Sequence, residues 1–136
     1  MRLELEPQQR AFIVALCVHA LSAVGEMLVI DAFVFPKYIL ISAVFGVIAG
    51  MVGSRIMVGL YFAAGSVVTV CNMFFFWLFG AMNTFNDCNL HKDDRCHEAH
   101  IGVVCMGLQI VFGVLSCVLA MGLLLQWNEK LEEKKV

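Results

Sequence analysis

Two groups of residues in this 136-residue chain could do chemistry. The first is His19 and Glu26, set in the apolar run Ala11–Ile30. Seven residues is close to two helical turns, so both side chains share a face, about 10 Å apart along the axis. Ionisable groups in such a run are expensive to bury, and a proton or cation path along their face is one use for them. The plainer expectation is anchoring. Glu26 stands near the end of its run and would extend to the interface, towards headgroups, water or a cation such as Lys37. His19 would then hydrogen-bond to a neighbouring helix. A transport path needs more polar lining than Ser22 alone supplies, so anchoring is preferred.

The second group lies in Asn83–His100. Cys88 and Cys96 are the cysteines outside the apolar runs. On the exterior face of a membrane they are expected to form a disulfide. Closing so short a loop would contribute about 2.5 kcal/mol through lost chain entropy. Metal binding is the rival reading, and free thiols are the third. Cys88-x2-His91 and Cys96-x3-His100 have ligand-like spacings, with His97 in reserve. Against it, four residues between His91 and Cys96 are far fewer than an ordinary zinc finger uses, and exterior thiolates tend to be oxidised. Cys17, Cys71, Cys105 and Cys117 fall in apolar runs and are expected to be small buried hydrophobes. The chain has no C-x-x-C pair, Gly-rich phosphate loop, nucleophile elbow or suitably paired carboxylates. Neither an enzyme nor a cofactor is expected.

The elements that must position these residues are four apolar segments, 11–30, 38–53, 56–82 and 101–126. Each approaches the ~20 residues needed to cross a bilayer, the second being short. A soluble chain of this size that is 61% hydrophobic could not cover itself with polar surface. The expected fold class is therefore an all-α membrane protein, a four-transmembrane-helix antiparallel bundle, with residues 1–136 as one domain. The outer loop is 83–100, and the tail 127–136 extends the last helix. Glu4 and Glu6 beside Arg2 and Arg10 make a poor signal peptide, so the first segment reads as an uncleaved anchor.

Four spans place both termini on one side, with Arg2, Arg10, Arg55, Lys130, Lys134 and Lys135. Lys37, Lys92 and Arg95 lie opposite. The positive-inside rule then puts both termini in the cytoplasm of a multi-pass protein of the plasma membrane or an endomembrane. Tyr38, Tyr61, Trp77 and Trp127 fall near span ends, as interfacial aromatics do. The formal charge of −2 makes nucleic acid an unsuitable partner.

Ser42, Gly46, Gly50 and Ser54 recur every four residues and stack on one helix face. Small residues let a neighbouring backbone approach closely, and in lipid packing drives association. Gly102, Gly107, Gly113 and Ser116 offer similar room in the fourth segment. Asn72 and Gln109 fall at similar depth and are candidates for a hydrogen bond between helices, worth about 1 kcal/mol.

The run Val70-Cys-Asn-Met-Phe-Phe-Phe-Trp-Leu-Phe-Gly-Ala81 resembles the aromatic third span of the MARVEL-domain family of small tetraspan proteins. The short loop holding Cys88 and Cys96 is similar too, as is Arg95-Cys-His-Glu-Ala-His100 leading into a Gly-rich fourth span. The resemblance covers about residues 56–126, and the first half in outline. It implies lateral association that organises membrane microdomains, junctions or vesicle trafficking, and no catalytic residues. The expected partners are the lipid bilayer and other membrane proteins or a second copy. An accessory subunit of a larger membrane complex fits the same features. A small proton or cation transporter using Glu26 and His19 is the alternative.

Overall fold

The structure, a computed structural model, describes residues 6–29, 35–77 and 94–135. Four helices make up these segments, and among the described residues there is no strand. They are α1 Pro7–Val29, α2 Phe35–Val52, α3 Arg55–Phe75 and α4 Asp94–Lys135. Three of them, α1, α3 and α4, hold apolar stretches long enough to cross a membrane. The apolar part of α2, Lys37–Val52, is shorter.

Local chemistry sets the boundaries. Pro7 opens α1, where its missing N–H costs nothing. The side chain of Gln9 reaches back to accept the N–H of Glu6 at 3.1 Å. Pro36 lies in the first turn of α2, where a proline is tolerated because its missing N–H has no partner within the helix. Between α2 and α3 the chain turns on Gly53 and Ser54. Gly53 has φ +72°, a conformation that costs other residues a steric clash, and its N–H closes α2 on the carbonyl of Ala49 at 3.0 Å. Ser54 caps α3 by accepting the N–H of Met57 at 3.5 Å.

The largest departure from the expected boundaries is α4. It begins at Asp94, seven residues before the expected span, so 94–100 is helix where loop was expected. Asp94–His100 has no Gly or Pro, and extending an existing helix needs no new nucleus. The helix runs 42 residues, about 63 Å at 1.5 Å per residue. Its charged last turns continue the same helix, as expected of the tail.

α1 packs on α2 and α4, and α3 packs on α2 and α4, so the four close into a ring. Phe12, Leu16, Ala43, Ala49, Val58, Tyr61, Ala120 and Leu123 form its apolar core. Tyr61 was expected at the membrane interface, but it is only 2% exposed and stacks edge-on against Phe12, ring centroids 5.5 Å apart. Bare glycines at Gly46 and Gly65 leave the space its ring fills. Large apolar side chains cover the outside, among them Leu28, Ile56, Phe74 and Val118. Trp77, 76% exposed, and Tyr38 also point outward. Cys17, expected inside, is exposed, whereas Cys71, Cys105 and Cys117 are half-buried.

Candidate functional site

The small-residue face of α2 divides in use. Gly46 and Gly50 are buried where other helices come close. A Cβ on Gly46 would stand 2.7 Å from the Tyr61 ring and 2.8 Å from Leu16 Cδ1. A Cβ on Gly50 would stand 3.0 Å from Phe12 and Ile13. The carbonyl of Gly50 also accepts from Gln9 Nε2 at 3.3 Å. The serines do something else. Ser42 turns its hydroxyl back onto the carbonyl of Ile39, 3.0 Å, and Ser54 caps α3. The four-residue spacing is therefore a two-glycine contact flanked by two serines that bond locally. On α4, Gly113 is similarly tight, a Cβ there falling 2.8 Å from Thr69 Oγ1 and 3.3 Å from His19 Cε1, whereas Gly107 faces open space.

The other half of the interior is polar. His19 and Glu26 from α1, Thr69 and Asn72 from α3, and Gln109 and Ser116 from α4 are all buried. Glu26 is 2% exposed, so it does not reach the interface as expected. The reason lies on α4. Gln109 stands at the level of Glu26 and donates from Nε2 to Glu26 Oε2, replacing the donor that water would have supplied. Lys37, the anticipated partner, is exposed at the start of α2.

Gln109 is the hub. Its Nε2 also points to the carbonyl of Ser22 at 3.4 Å, and its Oε1 accepts from Asn72 Nδ2 at 3.3 Å. The amide thus spends both hydrogens and its oxygen on two other helices. The bond between Asn72 and Gln109 expected from their common depth is present. Sequence reasoning missed that Glu26 joins the same network. Depth gave no signal for it, because Glu26 stands four residues from the end of its apolar run, whereas Asn72 and Gln109 stand ten and eight from the ends of theirs.

His19 lies deeper along the same face, 4% exposed. The backbone of Gln109 is a hydrogen-bonding neighbour of its ring, as expected for a histidine meeting another helix. Its Nδ1 is buried without a partner. Gln109 therefore touches both ionisable residues of α1, through its side chain at Glu26 and its backbone at His19. Beyond them Ser116 donates to the carbonyl of Phe112 at 2.6 Å and neighbours the Tyr61 hydroxyl. Ser66 donates to the carbonyl of Phe62 at 2.6 Å and lies 3.7 Å from Cys117 Sγ.

Cys88 lies outside the described residues, as do His91 and the side chains of Cys96, His97 and His100. The disulfide and its metal rival therefore both fall outside them. Compared with known proteins, the chain matches no protein family, no curated protein and no solved structure.

Proposed function

We propose that this is a non-catalytic integral membrane protein that crosses the bilayer four times as an antiparallel bundle and works by lateral association. The observation that carries the reading is where the interior polar groups spend their bonds. Glu26, Gln109 and Asn72 bond to one another across three helices, while large apolar side chains cover the outside. A cluster used this way holds helices together in lipid, where apolar burial gives little net drive. Contacts from Glu6 to Lys130, His19 to Gly113 and Glu26 to Gln109 run in opposite chain directions, which supports antiparallel spans.

On this reading both termini are cytoplasmic, Cys88 and Cys96 pair on the exterior, and the partners are membrane proteins or a second copy. The MARVEL-like features of 56–126 favour organisation of membrane domains, junctions or trafficking, and an accessory-subunit role draws on the same surface. Purification from native membranes in a mild detergent tests the association. Stoichiometric co-purifying chains or a defined oligomer are expected, and a lone monomer at native expression would count against it. Cysteine labelling at positions 92 and 135 should report opposite sides of the membrane. Intact mass before and after reduction should differ by two hydrogens if the disulfide forms.

One observation favours the transporter as a second reading. The unpartnered Nδ1 of His19 is a buried polar atom that the cluster leaves unused. A conduction path would need it, Glu26 and a water-filled route joining them.

A further inference from the structure

A cavity of about 230 Å³ opens where the α2–α3 turn meets the end of the apolar part of α4. Gly53, Arg55, Trp127, Lys130, Leu131 and Lys134 line it. Three cations from two helices converge there. Glu129, Glu132 and Glu133 also lie on α4, but none of them lines the cavity. Arg55 opens α3, so the positive end of that helix adds to the same field. The apolar residues of the site, Trp127 and Leu131, lie just beyond the apolar stretch of α4, and a Trp so placed suits the headgroup layer.

We infer that this cavity binds the phosphate of an anionic phospholipid headgroup. The inference rests on the four-span topology proposed above, which sets the cavity at the cytoplasmic membrane surface. Charge complementarity and depth together select the occupant. A groove with three cations at headgroup level faces a leaflet enriched in anionic lipid. Two of the cations have present partners. Arg55 donates to Asn128, and Lys130 pairs with Glu6. Neither contact blocks the site, because exposed pairs of this kind are weak and exchange readily, and Arg can fork onto a phosphate. Lipid binding would release Glu6 and so loosen the start of α1 from the end of α4.

The test uses the full chain in phosphatidylcholine nanodiscs, titrated with a fluorescent phosphatidylinositol phosphate. Each cation near an anionic headgroup is worth about fivefold in affinity. Arg55→Gln, Lys130→Gln and Lys134→Gln should each weaken binding about that much, and the triple variant about a hundredfold. Lys37→Gln, at the opposite end of α2, should leave it within about twofold. Unchanged binding in the triple variant, or an equal loss in Lys37→Gln, would overturn the site. Inorganic phosphate competing as strongly as the lipid would overturn the lipid assignment. Cysteine labelling of positions 55 and 134 separates the two failures. Labels on opposite sides of the bilayer would break the topology, whereas labels on one side with unchanged lipid affinity would break the site alone.

Discussion

The two halves of the interior are held by different means. Around Phe12, Leu16, Gly46, Gly50 and Tyr61 the contacts are apolar, and two glycines allow them. Around Glu26, Gln109 and Asn72 they are hydrogen bonds between helices. In water the first half would be the stronger, because burial of apolar surface drives folding there. In lipid the outside is as apolar as the inside, so that half must rely on close fit. The polar half gains from having no water as a competing partner, although the unfolded chain in the membrane finds partners too. The difference gives each half its own failure mode: the apolar half fails by overfilling, and the polar half by orphaning.

The largest effect is expected in the apolar half. Gly46→Leu places its first carbon within 3 Å of two buried side chains on two helices. Overpacking of this kind costs about 1–3 kcal/mol or more. The variant should lose its monodisperse peak in detergent or melt well below wild type. An unchanged melting temperature would mean that the glycine contact is not tight. Gly50→Leu meets slightly longer contacts and should do less damage.

Gln109→Leu should come next. It leaves the Glu26 carboxyl and the Asn72 amide without the partner they share, and an orphaned buried polar group costs about 1–3 kcal/mol. Asn72→Leu removes one member and leaves the bond between Gln109 and Glu26 in place. A loss nearer 0.6 kcal/mol is expected there, about the average for hydrogen bonds between membrane helices. Chemical denaturation in mixed micelles would rank the two, and a cost for Asn72→Leu above that for Gln109→Leu would displace Gln109 as the hub.

These rankings show what the chain makes legible. The four apolar runs, the glycines of α2 and the Asn72–Gln109 bond can be read from residue type and spacing, because helical period and depth determine them. The fate of Glu26 cannot. Nearness to a span end suggested the interface, and only the position of α4 against α1 brings Gln109 to it. Tyr61 misleads for the same reason. Tyrosines near span ends usually lie in the interface, and the pocket that buries this one is made by Gly46 on another helix and Gly65 on its own. The early start of α4 was hidden because 94–100 is polar, which resembles a loop until the adjoining helix is allowed to extend it.

Ser42→Ala should have the smallest effect. Its hydroxyl bonds to the carbonyl of Ile39 in its own helix. A change within about 0.5 kcal/mol is expected from thermal melting. A larger loss would show that the serine supports the contact between helices and would extend the glycine face to all four of its small residues.

On the function proposed above, the polar half is a clasp and not a conduit. Glu26→Gln is a fine probe of it, since the new amide oxygen can still accept from Gln109 while the ionisable group is gone. Proton and cation flux into proteoliposomes carrying wild type or Glu26→Gln separates a clasp from a conduit. Both should match protein-free vesicles, and both proteins should be similarly stable. Flux above that background in wild type, abolished by Glu26→Gln in a folded protein, would contradict the clasp and make this a transporter.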